Sequence, residues 1–153
     1  MALLQGDAAK GIIPVVYPSA AGEVVAQRYD YSALATLALN DVIEMAYLPP
    51  NGVLVDAILI CDDLDTHASP TISLDVGIMS GDWGDNDGSR TCGDEIFDGS
   101  DLAQAGGVAR PTAAEAFRIA KSESARSIGI KVATAAATAA AGTITLITFI
   151  AAG

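Results

Sequence analysis

Two acidic clusters and a single histidine carry most of the side chains that could do chemistry. In Asp82-Trp83-Gly84-Asp85-Asn86-Asp87-Gly88, three carboxylates (Asp82, Asp85 and Asp87) alternate with Gly turns. Hard cations take several oxygen ligands, and clustered carboxylates beside Gly supply them, so these three are the candidate calcium ligands. The segment departs from an EF-hand loop. Aligned on Asp85, Asp87 and Gly88, it puts Trp83 at the first ligand position and Asp94 where the closing Glu belongs. Flanking helices are also missing, which favours a solvated acidic loop.

A second cluster, Asp63, Asp65 and His67, would share one face if extended, as a carboxylate–histidine metal site would require. A turn with its polar residues in water is the simpler reading. His67 is the only imidazole, and no Gly-x-Ser-x-Gly elbow or local Cys–His pairing accompanies it. Phosphate-loop and dinucleotide fingerprints are absent too. No catalytic residue is therefore expected, and no cofactor is required; calcium at the acidic loop is the one open option. Cys61 sits in an apolar run and Cys92 in a polar loop, with no Cys-x-x-Cys spacing, so free thiols in a reducing cytosol are expected.

The chain has 153 residues, the size of one domain, with 8 Lys+Arg against 19 Asp+Glu and a net charge of −11. It offers no basic footprint for phosphates, which argues against nucleic acid and anionic membranes as partners. Hydrophobic residues make up 51% and aromatics 5%, a balance suited to packing and contact more than to catalysis. The run from Val132 to Gly153 is uncharged and long enough to cross a bilayer. Gly142-Thr143 interrupts it, however, and it reads as two strands joined by a small-residue loop.

The elements that must position these groups are strands. Residues 1–22 hold Ile12, Ile13, Val15, Val16 and Tyr17 around Pro14 and Pro18, which prevent a helix or central strand and suggest an extended arm or a loose terminus. From Glu23 the pattern alternates, with Val25, Gln27, Tyr29 and Tyr31 on one face. Apolar runs at 42–48 and 53–61 flank the turn signal Pro49-Pro50-Asn51-Gly52. Residues 71–79 alternate again, 80–101 form a long Gly/Asp loop, and 127–132 and 143–150 are further strands. Residues 111–120 fit a capped helix or a strand, and their alternation favours the strand. Seven or eight strands without βαβ alternation predict an all-β, antiparallel β-sandwich over residues 23–153. The strands at 53–61 and 143–150 are apolar on both faces, as central strands or strands covered by another subunit would be.

Three stretches, Gly99-Ser100-Asp101-Leu102-Ala103-Gln104-Ala105-Gly106-Gly107-Val108, Ala125-Arg126-Ser127-Ile128-Gly129-Ile130-Lys131-Val132 and Ala139-Ala140-Ala141-Gly142-Thr143-Ile144-Thr145-Leu146, resemble small head-decoration (cement) proteins of tailed bacteriophages. Leu48-Pro49-Pro50-Asn51-Gly52-Val53-Leu54-Val55 and Ser73-Leu74-Asp75-Val76-Gly77 are similar to them as well. The resemblance implies a jelly-roll sandwich, made in the host cytoplasm and oligomerised on the outer capsid surface as a homodimer or homotrimer. There it would bridge copies of the major capsid protein. On this reading Ile12, Ile13, Val15, Val16 and Tyr17 of the arm and Ile144, Leu146 and Phe149 of the last strand form the contacts. The alternative is a calcium-assisted carbohydrate-binding jelly roll, with Trp83, Tyr17, Tyr29, Tyr31 and Tyr47 stacking on sugars.

Overall fold

The computed structural model describes residues 1–153 and is all-β. Nine strands run in chain order: β1 (Leu3–Gln5), β2 (Val24–Ala33), β3 (Val42–Leu48), β4 (Gly52–Cys61), β5 (Ser73–Ile78), β6 (Phe97–Ser100), β7 (Gly107–Ala109), β8 (Arg126–Thr134) and β9 (Gly142–Ala152). They form a five-stranded sheet, ordered β1-β3-β8-β5-β6, and a four-stranded sheet, ordered β2-β9-β4-β7. Every pairing is antiparallel except β1 on β3. The pairing is nested: β2 lies on β9, β3 on β8, β4 on β7 and β5 on β6. Two layers result, facing each other across one core.

That core follows from the alternation. In β2, Tyr29 and Ala33 point inward and are buried, whereas Ala26, Arg28 and Asp30 on the other face are exposed. In β9, Ile144, Leu146 and Ile150 point inward. They meet Ile43, Leu74, Val76, Ile128 and Ile130 from the opposite sheet in one continuous cluster. The turn Pro49-Pro50-Asn51-Gly52 is closed by the Gly52 N–H donating to the Pro49 carbonyl at 2.9 Å, with Asn51 left-handed at φ 57. Pro fixes the approach to the turn and Asn tolerates the positive φ, so the signal seen in the sequence is the turn that forms.

Three expectations need correction. Residues 111–120 form no strand. Ala114–Phe117 make a short 3-10 turn with no side-chain N-cap, and only Ala116 of it is buried. The segment connects β7 of one sheet to β8 of the other and pairs with neither. The first 22 residues are also not a single arm: Leu3–Gln5 pair with β3, the Gly6 N–H donates to the Glu44 carbonyl at 2.8 Å, and Ala8 is buried. Only the stretch beyond it is open and strandless. Finally, Ile144 and Leu146, expected at an interface, are wholly buried in their own chain's core. The uncharged run 132–153 forms the end of β8, a link and β9, and no helix of the chain is long and apolar enough to cross a membrane.

Candidate functional site

The outer faces of the two sheets are built oppositely. The five-stranded sheet is covered by the chain's own acidic loop. Across β3, β8 and β5 runs one row of paired residues, Glu44, Gly129 and Gly77. The two glycines make room for what lies on the sheet, loop backbone over Gly77 and the Met79 side chain over Gly129. A Cβ on Gly129 would stand 2.5 Å from the Met79 Sδ, and one on Gly77 would strike Glu95 and the Gly93 backbone. β3 is therefore buried on both sides, which matches a run that is apolar apart from Glu44; its pairing with β8 is interrupted by a bulge at Met45.

Glu44 anchors that cover. It is wholly buried and accepts hydrogen bonds from Gln5 Nε2 at 2.8 Å, the Gly84 N–H at 2.9 Å, Arg90 at 2.9 Å and the Ser127 hydroxyl. Arg90, equally buried, donates further to the Ser80 carbonyl at 2.7 Å, the Asp85 carbonyl at 2.8 Å and the Ser127 Oγ at 2.9 Å. Burial by itself would raise the Glu44 pKa. The bonds from Ser127, Gln5, Gly84 and Arg90 outweigh it and hold the carboxyl below its ordinary value. A buried pair with its remaining donors and acceptors satisfied fixes one arrangement of loop and sheet. The only hint of it in the sequence is a Glu inside an apolar strand.

The acidic loop holds no metal geometry. No three His, Cys, Asp or Glu side chains of the chain converge as a metal site would need. Asp85 accepts from the Asp87 N–H at 3.1 Å, and Asp87 from the Ser89 N–H and hydroxyl at 2.9 and 2.8 Å. The carboxylates of Asp85 and Asp87 thus cap their own turns, Asp82 stays exposed, and the cation inside the loop is Arg90. The second cluster also resolves into a turn. Asp65 is buried and accepts backbone N–H bonds from Thr71 at 2.7 Å, Ala137 and Thr138 at 2.8 Å, and Ile72 at 3.2 Å. Desolvation opposes its charge, but these four donors prevail and hold its carboxyl far below the usual range. It ties the loop after β4 to the link between β8 and β9. Both cysteines are free, and burial pushes each thiol up to about 12.

The four-stranded sheet is different. On its outer face Ile58 lies opposite Ile147, Phe149 sits between Ala26 and Asp56, and Ile60 lies beside Val108. Ile58, Ile60, Ile147 and Phe149 stay partly exposed and Val108 is 66% exposed. The ion pairs Arg28–Asp30 and Arg110–Asp56 border this apolar belt. An apolar centre with a charged rim is the anatomy of a protein–protein interface. Of the residues expected at contacts, Phe149 belongs to it.

Beside β2 runs the open part of the N-terminal segment. Gln27 grips it with both ends of its amide: the Val16 N–H donates to Oε1 at 2.7 Å, and Nε2 donates to the Pro14 carbonyl at 2.8 Å. Val15 packs on the core, while Ile12, Ile13, Val16 and Tyr17 are exposed. The Tyr17 ring shares a cavity with Tyr47, Pro49 and Pro50, and Tyr47 packs edge-on to Trp83 at 5.3 Å. Tyr29 is buried and cannot stack on a ligand.

No protein-family model matches the chain, and no curated protein does. Two solved structures do. A chain from the capsid of Ralstonia phage GP4 is 54% identical over 99% of both chains, with a TM-score of 0.95. A chain from the capsid asymmetric unit of cyanophage Pam1 is 26% identical, covering 94% of this chain and 96% of that one, with a TM-score of 0.68.

Proposed function

The chain belongs to the phage capsid protein family represented in the Ralstonia phage GP4 capsid, and from that premise we propose that it decorates and cements the shell. It is a structural protein of the virion. On this reading it sits on the outer surface and bridges copies of the major capsid protein, associating there with further copies of itself. The nested strand order supports the jelly-roll form expected for such a protein.

The observation that carries the reading is the open apolar belt of the four-stranded sheet, Ile58, Ile60, Ile147, Phe149 and Val108. Monomeric proteins rarely leave such a face uncovered, and its ion-paired rim suits contact with protein. The exposed segment with Ile12, Ile13, Val16 and Tyr17 adds a second reach toward neighbours. A surface that is acidic elsewhere keeps crowded particles apart.

Particles lacking the chain, mixed with purified protein, test this. The parent protein is expected to fill them stoichiometrically. Phe149→Asp and a deletion of residues 11–22 are expected to fold yet lose occupancy, by at least about tenfold for Phe149→Asp given the central burial proposed for it. Equal occupancy by both variants would sink the assignment of these surfaces, and failure of the parent protein to bind would sink the function.

A further inference from the structure

A nucleophile in a protein need not be a side chain. A backbone amide nitrogen can attack the side-chain amide of the residue before it, and glycine, with no Cβ, hinders that nitrogen least. Of the three asparagines, Asn40 and Asn86 precede aspartates and Asn51 alone precedes a glycine. Asn51 is exposed and sits in the turn that carries the chain from β3 of one sheet to β4 of the other.

That turn demands this pair of residues. Asn51 is left-handed at φ 57, where asparagine is one of the few residues besides glycine to settle. A Cβ on Gly52 would stand 2.8 Å from the Pro49 ring and 3.0 Å from the Pro49 carbonyl oxygen, so a larger residue does not fit. The same turn also holds the reacting nitrogen. Gly52 is buried, and its N–H donates to the Pro49 carbonyl at 2.9 Å. On either side of the Asn51 side chain the backbone is tied down. The Asn51 N–H donates to the Ser122 carbonyl at 2.7 Å, and the Asn51 carbonyl accepts from the Gly153 N–H at 3.0 Å.

We propose that Asn51 is a self-modification site, closed in the folded protein and opened when this turn comes apart. The Gly52 nitrogen bonds to the Asn51 Cγ, the Cγ–Nδ2 bond breaks, and ammonia leaves with the proton of the Gly52 amide. Water then opens the five-membered imide at either carbonyl, and the position becomes an aspartate joined through its backbone or through its side chain. Nothing is oxidised or reduced. The nitrogen must first give up its proton, and a buried, hydrogen-bonded N–H is withheld from base. In the folded protein the reaction therefore runs only through the open fraction. The side-chain-linked product lengthens the backbone by one carbon at a point where three successive backbone groups are already bonded. It does not fit the turn, so a chain modified while unfolded is hindered from closing one sheet onto the other. The proposal does not depend on the decoration reading.

The test incubates the full chain at mildly alkaline pH, folded in buffer and unfolded in guanidinium chloride, and follows conversion at each asparagine by peptide mapping. Conversion at Asn51 is expected to be at least about tenfold slower in the folded chain, in step with the hydrogen-exchange protection of the Gly52 amide. Equal rates in the two states overturn the claim that the fold closes the site. No conversion at Asn51 in the unfolded chain, or faster conversion there at Asn40 or Asn86, overturns the site itself. When the unfolded sample is refolded, the folded fraction is expected to be depleted of the side-chain-linked product relative to the backbone-linked aspartate. Equal recovery of the two overturns the claim that the turn excludes it.

Discussion

Glu44 and Arg90, 46 residues apart in the chain, meet at 2.9 Å in a site from which water is excluded, and through them the acidic loop is locked onto the five-stranded sheet. Removing either partner leaves the other charged and buried. Arg90→Met or Glu44→Leu is expected to lose about 3–5 kcal/mol of stability, as breaking one side of a buried pair does. In thermal unfolding that is a fall of roughly 10 °C for a domain of this size. The double variant Glu44→Leu/Arg90→Met should recover much of the loss, which a double-mutant cycle measures. Additive losses would show that the two act independently.

Acid should loosen the fold through two named carboxyls. Glu44 and Asp65 both have folded pKa values below their unfolded ones. Each therefore contributes stability that is present above its unfolded pKa, about 4, and is lost as pH falls through the folded value. Urea unfolding at a series of pH values is expected to show stability declining below about pH 4. Asp65→Asn should be less stable than the parent at neutral pH and flatten that decline; an unchanged slope would exclude Asp65 as a contributor.

The two glycines beneath the loop should differ in a predictable order. A methyl at Gly77 would meet the Gly93 backbone, which cannot yield, whereas one at Gly129 would meet the flexible end of Met79. Gly77→Ala is expected to lose about 1–3 kcal/mol and Gly129→Ala less. Denaturant midpoints decide the order, and the reverse ranking would contradict this account of the cover.

Neither thiol should react in the folded protein. With both pKa values near 12, the thiolate fraction at pH 8 is about 10⁻⁴. Ellman's reagent is expected to find no fast thiol in the native state and both after unfolding. Rapid native reaction of Cys92 would mean that the loop above Gly129 opens readily.

Much of the sandwich was readable before any coordinates. The alternation of Val25, Gln27, Tyr29 and Tyr31, the Pro-Pro-Asn-Gly turn and the doubly apolar strands at 53–61 and 143–150 all reflect local rules, and each appears where expected. The site was less legible because it depends on distant partners. Glu44 looks like an ordinary strand residue until Arg90 arrives from the loop. Asp65 reads as a turn residue facing water, and its burial is unforeseen because the backbone donors of residues 71–72 and 137–138 are invisible to spacing. Ile144 and Leu146 were assigned outward because an apolar run on both faces does not say which alternate set is inside. Residues 114–117 failed as a strand because alternation describes a face, not the presence of a neighbour.

The nested pairing has a consequence for when this protein becomes competent. β2 finds its only partner in β9, with Val24 opposite Ala151. β9 is also the strand that joins β2 to β4. During synthesis β2 must wait until Gly142–Ala152 has been made, and pairings so distant in sequence close slowly. The apolar belt comes into being only when β9 inserts. A chain made only as far as β8 therefore lacks that outer surface.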